Sequence, residues 1–188
     1  MTRLFTSTGY LEADDQSTSL DLTALPPFLR VLLTTDGTVT KSIESFFWEP
    51  VKVVNCGQRY DELEVDAPVI RRNKGDRVLR RSVQLVGANS ATCYASAVSL
   101  VYTELLPAEL RARLESGSVG IGELLRECGL ETYREIVAVG EGVAEESLNT
   151  SRAIWRTYRI VMEHCPFIQI TEYFPLAVYE SSSKALNQ

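Results

Sequence analysis

Two charged residues of this chain stand in segments whose other residues are largely apolar. Arg81 lies in the segment 77–86, and Glu172 lies in the segment 167–174. If both segments are β-strands, alternate side chains point to opposite faces, and each charge shares its face with apolar neighbours. Those neighbours are Leu79, Val83 and Leu85 for Arg81, and Ile168, Ile170 and Phe174 for Glu172. An ionised group beneath an apolar layer is costly unless it is paired, so each placement requires a partner.

Two interpretations explain this pattern. In the first, the two charges have a structural explanation: Arg81 and Glu172 pair with each other, or a register slip exposes one of them. Alternatively, the sheet carries a ligand cavity in which Arg81 binds a carboxylate through its planar guanidinium group and Glu172 faces the reacting end. A carboxyl group held against apolar residues is a candidate proton donor. This second interpretation favours a small organic acid as the ligand.

The number and spacing of the histidine and cysteine residues restrict the kinds of site that the chain can form. His164 is the only histidine, and the four cysteines form no CxxC pair. We therefore expect no metal site and no disulfide framework, and reduced thiols favour a cytoplasmic protein. A serine triad would have to be built around His164, which we place in a turn.

Chain length and net charge indicate the number of domains and the class of partner. The 188 residues, 45% of them hydrophobic, suit one domain. A net charge of −6 argues against nucleic acid as a partner, and no stretch has the pattern of a signal peptide or membrane span. We predict a weakly ordered lead-in over 1–19, a domain over 20–180 and a flexible tail over 181–188.

The elements that must position Arg81 and Glu172 are two predicted hairpins. The first has strands at 77–86 and 91–102, and the second has strands at 152–163 and 167–174 around a turn at 164–166. Further strands are predicted at 48–55 and 132–139, helices at 26–34, 107–115 and 122–128, and connections at 61–76 and 140–150. Hairpins with segregated helices predict an α+β fold, with a single antiparallel sheet and helices packed over one face.

Ordered blocks between Leu25 and Tyr179 resemble the chorismate pyruvate-lyases, especially their archaeal, mycobacterial and cyanobacterial branch. Residues 32–41 resemble the family's helix end and the turn that follows, and residues 78–85 carry an arginine at its substrate-clamp position. Residues 119–125 resemble its Pro-Leu-Gly segment. The most specific block has Arg-x-x-Arg within 155–160 followed by Thr-Glu-x-Phe within 170–175.

The resemblance implies an enzyme that eliminates pyruvate from chorismate to leave 4-hydroxybenzoate, without metal or organic cofactor. It implies that the catalytic residues are Arg81, which binds the ring carboxylate, and Glu172, which meets the oxygen that becomes the phenol and stabilises or protonates the leaving oxygen. It also implies that backbone N–H groups around Val39, Thr40 and Ile121 assist in substrate binding. The chain departs from the family where Gly120 and Ile121 replace Pro-Leu and where Val39 replaces a methionine of some relatives, which puts the pocket shape in question.

Chorismate carries a second carboxylate, which needs a cation of its own. Lys41, Arg156 and Arg159 are candidates, although strand parity sends Arg156 and Arg159 to opposite faces. We take Lys41 and Arg156 as substrate-binding candidates, with surface charge as the alternative.

Two other functions are compatible with these residues. One is a non-catalytic domain that senses a small carboxylate, since effector domains of one bacterial repressor class share this fold; we expect no helix-turn-helix ahead of the domain. The other is a lyase that forms another hydroxybenzoate. The pathway that uses the product, quinone or phenolic biosynthesis, is left open, and so is the oligomeric state, monomer or homodimer.

Overall fold

The computed structural model describes residues 10–11, 20–117, 119–143 and 152–185. Within these ranges the chain forms eight strands and five α-helices. The strands are β1 (Tyr10–Leu11), β2 (Leu20–Asp21), β3 (Val51–Glu62), β4 (Arg77–Gly87), β5 (Cys93–Val101), β6 (Tyr133–Val143), β7 (Arg152–Met162) and β8 (Cys165–Pro175). The helices are α1 (Pro27–Thr34), α2 (Val39–Phe47), α3 (Ala108–Glu115), α4 (Ile121–Glu127) and α5 (Leu176–Ala185).

The main sheet has six antiparallel strands in the order β3-β4-β5-β8-β7-β6, and β1 pairs separately with β2. The α+β prediction with an antiparallel sheet is therefore confirmed. The two predicted hairpins are β4–β5 and β7–β8, and β5 pairs with β8 at the centre of the sheet. This central pairing brings the strands of Arg81 and Glu172 close together.

The second hairpin turns earlier than predicted. Its turn consists of Glu163 and His164, both of which have positive φ, as the tight two-residue turns of hairpins require. Cys165 and Pro166 consequently belong to β8, and the turn predicted at 164–166 is wrong. Pro166 is accommodated where the β7–β8 register shifts, between Ile160 and Val161.

Several elements extend beyond their predicted ends. The strand predicted at 48–55 does not end at Asn55, because a bulge between Asn55 and Gly57 lets β3 continue to Glu62. Strand β6 continues to Val143, into the segment predicted as a connection, whose remainder lies outside the described residues.

The sequence did not predict α2 or α5. Helix α5 crosses the predicted boundary between domain and tail, and residues 186–188 lie outside the described part of the chain. Of the predicted lead-in, only β1 is described.

The helices pack in two groups over one face of the main sheet. Helices α1, α2 and α5 contribute to a core cluster with Leu85, Ile154 and Phe174 of the sheet. Helices α3 and α4 contribute to a second cluster with Leu79 and Ile168. On the opposite face, the connection between β3 and β4 contributes Leu63, Ala67 and Ile70 to a small cluster. Across the described ranges, no helix is long and apolar enough to span a membrane.

Candidate active site

A cavity of about 280 Å3 lies between the two helix groups, on the face of the sheet that they cover. Strands β4, β5, β7 and β8 contribute to its wall, together with the first turns of α2 and α4 and the residues that precede them. The cavity therefore opens where neither core cluster fills the sheet face.

Strand register places Arg81 and Glu172 in adjacent rows across this wall. Arg81 pairs with Ser99, which pairs with Ile170, and Ile170 pairs with Tyr158. In the next row the paired residues are, in order, Val83, Ala97, Glu172 and Arg156. Two strand spacings and a two-residue step separate the Cα atoms of Arg81 and Glu172, which corresponds to about 12 Å. The small side chains of Ala97 and Ser99 lie between them and leave room for a ligand.

Arg81 is a buried cation with little compensation from the protein. Its side chain is 1% exposed, and its Nη2 donates to the carbonyl oxygen of Gly117 at 3.2 Å. Its Nε has no hydrogen-bond partner, and none of the carboxylates in the described ranges forms an ion pair with it. Burial lowers the pKa of Arg81, since the protein replaces little of the lost hydration. An anionic ligand in the cavity would supply this missing partner.

Glu172 has two donors from β7. Arg156 Nε donates to its Oε2 at 2.8 Å, and the Tyr158 hydroxyl donates to its Oε1 at 3.2 Å. Arg156 is 1% exposed, and its Nη1 also donates to the carbonyl oxygen of Thr35 at 2.7 Å. Glu172 therefore pairs with Arg156 and not with Arg81, so the salt bridge between Arg81 and Glu172 that the sequence left open does not form.

Tyr158 is held in its neutral form. Burial raises the pKa of the Tyr158 phenol, and the charge of Glu172 raises it further. Tyr158 therefore donates a hydrogen bond to Glu172 and fixes the orientation of that carboxylate.

The first turns of α2 and α4 form the opposite wall. The first turn of α2 contributes Val39, Thr40 and Lys41, and that of α4 contributes Ile121. The N-cap residues, Thr38 and Gly120, form no side-chain hydrogen bond to the helix that follows. Backbone N–H groups in a first helical turn lack partners within the helix, so they are available to an anion.

The structure brings most of the predicted site residues to one cavity. Its wall includes Val39, Thr40, Lys41, Arg81, Ile121 and Glu172. Lys41 forms an exposed ion pair with Glu44. Arg156 lies behind Glu172 and outside the cavity wall. Arg159 bonds to Glu135 and to the carbonyl oxygen of Val69, away from the cavity.

Sequence reasoning missed other residues of the wall, namely Ala97, Ser99, Arg134 and Tyr158. Alternating small residues at 95, 97 and 99 are visible in the sequence and indicate a strand face that is not filled by its own side chains. No comparable signal marks Arg134, because its position depends on how β6 pairs with β7. In the described part of the chain, no group of three or more His, Cys, Asp or Glu side chains could hold a metal ion.

The sequence matches known proteins over most of its length. Residues 33–181 match the family model described as "Chorismate pyruvate-lyase Rv2949c-like". The chain is 29% identical to the chorismate pyruvate-lyase of Mycobacterium leprae over 163 residues, which cover 83% of this chain and 78% of that protein. It is 30% identical over 152 residues to MJ0807 of Methanocaldococcus jannaschii, which is named only as a lyase, and covers 76% of that protein and 77% of this chain.

Among solved structures, the chain resembles the effector domain of PhnF from Mycobacterium smegmatis. The TM-score is 0.56 at 12% identity, and the match covers 74% of this chain and 88% of that domain. This likeness concerns the fold alone.

Proposed function

We propose that this chain, which belongs to the Rv2949c-like chorismate pyruvate-lyase family, eliminates pyruvate from chorismate to give 4-hydroxybenzoate. The observation that carries this proposal is Arg81, a buried guanidinium group on the cavity wall with no ion-pair partner in the described residues. A carboxylate bound there would compensate for the desolvation of Arg81 through charge-assisted hydrogen bonds.

The cavity suits the two ends of a substituted ring acid. In our proposal the ring carboxylate binds Arg81 and the backbone N–H groups of Val39 and Thr40, where the positive end of α2 also favours an anion. The ring then lies over the small side chains of Ala97 and Ser99. Its far end, which carries the hydroxyl group, reaches Glu172.

The reaction breaks the bond between the ring and the ether oxygen. The adjacent ring carbon, which carries the hydroxyl group, loses its hydrogen, and the electron pair of that C–H bond completes the aromatic ring. The electron pair of the broken C–O bond leaves with the enolpyruvyl oxygen, and the released proton ends on the methylene carbon to give pyruvate. The hydroxyl group stays on the ring as the phenol of 4-hydroxybenzoate.

Catalysis of this step requires orientation and charge stabilisation more than a strong nucleophile. Because Arg156 and Tyr158 both donate to Glu172, we assign Glu172 as the acceptor of a hydrogen bond from the ring hydroxyl. Its negative charge lies where the ring becomes electron-poor as the ether bond breaks. Arg156 and Tyr158 are positioning residues that hold this carboxylate in place.

Substitution of Arg81 tests the carboxylate site. Arg81→Ala should weaken 4-hydroxybenzoate binding and lower kcat/KM for chorismate together, each by about tenfold to a hundredfold, since the contact is made with substrate and product alike. Isothermal titration calorimetry and steady-state assays measure the two effects.

Arg80→Ala is the matched control. Arg80 precedes Arg81 on β4, is partly exposed and pairs with Asp61, away from the cavity. We expect it to leave both quantities close to wild type. Equal losses from the two substitutions would contradict the proposed carboxylate site.

A further inference from the structure

A second arginine on the cavity wall has no assigned role. Arg134 lies on β6 and pairs with Ile160 of β7. Its Nη1 donates to the carbonyl oxygen of Asp36 at 3.1 Å, ahead of α2. Its Nη2 would lie 3.3 Å from a Cβ atom added to Gly122, in the first turn of α4. The guanidinium group thus lies between the N-termini of α2 and α4.

Arg134 differs from its arginine neighbours in its charge balance. Arg152, Arg156 and Arg159 of the adjacent strand form ion pairs with Glu141, Glu172 and Glu135, respectively. Within the described ranges, no carboxylate forms such a pair with Arg134. Arg81 and Arg134 are therefore the two cavity arginines that are at least partly buried and that pair with no carboxylate of the described residues.

The two arginines serve different ends of the cavity. Arg156 donates through Nη1 to the carbonyl oxygen of Thr35, and Arg134 donates through Nη1 to that of the next residue, Asp36. The Arg134 guanidinium group therefore lies near Arg156, which pairs with Glu172. Arg81 lies on β4, four strand positions from β6, which corresponds to about 19 Å across the sheet.

Chorismate has one carboxylate on the ring and another on the enolpyruvyl arm, which is attached next to the ring hydroxyl. Resting on the proposed function, we infer that Arg134 binds the enolpyruvyl carboxylate and orients the departing arm. Lys41 is a weaker candidate because it is exposed and already pairs with Glu44. Arg126, the remaining arginine of the wall, is exposed.

A comparison of two ligands tests this inference, because 4-hydroxybenzoate lacks the enolpyruvyl carboxylate. Arg134→Ala should lower kcat/KM for chorismate by about tenfold to a hundredfold, the effect of losing a charge-assisted contact. The Kd of 4-hydroxybenzoate, measured by calorimetry, should stay within about twofold of wild type. Arg134→Lys should recover part of the chorismate activity, because it keeps the charge but loses the planar fork.

Arg159→Ala is the control. Arg159 lies on the adjacent strand but bonds away from the cavity, and its removal should affect the two ligands equally and weakly. The inference is overturned if Arg134→Ala leaves kcat/KM unchanged. It is also overturned if Arg134→Ala weakens 4-hydroxybenzoate binding by the same factor as it lowers kcat/KM for chorismate. Arg134 would then only hold the N-termini of α2 and α4 in place.

Failure of the proposed function gives a separate result. Wild-type protein would then form no 4-hydroxybenzoate from chorismate, and the variants would be compared by chorismate calorimetry instead. A selective loss of chorismate affinity in Arg134→Ala would still support the carboxylate contact, and unchanged affinity would overturn it.

Discussion

At the scale of single residues, the site is a set of buried charges on one sheet face. Strand parity correctly predicted that Arg81 and Glu172 point to the apolar side, where they are 1% and 7% exposed. Parity alone could not identify their partners, because these depend on which strands are adjacent. The β7–β8 register places Arg156 directly opposite Glu172 and leaves Arg81 two strands away.

Substitution of Glu172 separates a catalytic role from a structural one. Glu172→Gln keeps the size of the side chain and an oxygen that can accept from Arg156, but it removes the negative charge. We expect kcat to fall by about a hundredfold or more, with 4-hydroxybenzoate affinity largely retained.

Thermal melting distinguishes this result from simple destabilisation. Breaking a buried ion pair costs about 3 to 5 kcal/mol when a partner is removed outright, so some loss of Tm is compatible with either role. A variant that melts early but turns over at a near-normal rate well below its Tm would show that Glu172 is structural only.

At the scale of elements, β5 forms the floor of the cavity because its cavity-facing residues are small. Ala97→Leu should fill this space, since Ala97 lies between Val83 and Glu172. The added atoms enter the cavity instead of a packed core, so we expect a Tm near that of wild type and a loss of 4-hydroxybenzoate affinity of more than about tenfold. Val98→Leu, at the next position along β5 and outside the cavity wall, is the control; equal effects on binding would contradict this floor.

The β4–β5 hairpin is held by Glu49, which precedes β3. Glu49 accepts hydrogen bonds from the backbone N–H groups of Asn89 and Ser90 and from the Ser90 and Tyr94 hydroxyls. The bonds from Ser90 and Tyr94, with the two backbone bonds, lower the pKa of Glu49 from its usual 4.5 to about 2. The ionised carboxylate therefore stabilises the fold above its unfolded-state pKa, and this stabilisation is lost as the pH falls towards about 2.

Glu49→Gln should accordingly lower Tm at neutral pH. The Tm difference from wild type should shrink between pH 4.5 and about 2, the window set by this pKa shift. Melting curves across that range measure the effect. A Tm difference that is constant over the whole range would contradict this role of the carboxylate.

The strands of both central hairpins could be predicted because β-branched runs are local signals, although the turn of the second hairpin was misplaced. Helices α2 and α5 could not, because their stability depends on distant aromatic contacts. Phe47 of α2 stacks on Tyr94 with a centroid distance of 4.1 Å. Tyr179 of α5 donates to the carbonyl oxygen of Tyr94 at 2.7 Å. Such contacts join residues far apart in sequence, so no local pattern indicates them.

At the scale of the whole molecule, the cavity follows from the separation of two helix groups over one sheet. Helices α1, α2 and α5 cover one end of the sheet face, and helices α3 and α4 cover the other. The sequence predicted helices over one face but not the gap between them, since the gap depends on how the groups pack. The likeness to the PhnF effector domain, at 12% identity, shows the fold alone, and a fold does not imply a function. Fold alone therefore does not decide between catalysis and binding.

Product analysis makes that decision. Purified protein is incubated with chorismate in the presence of EDTA, and 4-hydroxybenzoate and pyruvate are quantified by chromatography and by a coupled lactate dehydrogenase assay. We predict that the two products appear in equal amounts, with kcat at least about a hundredfold lower in Glu172→Gln. Chorismate that binds by calorimetry but is recovered unchanged, or is converted into a different hydroxybenzoate, would contradict the assignment.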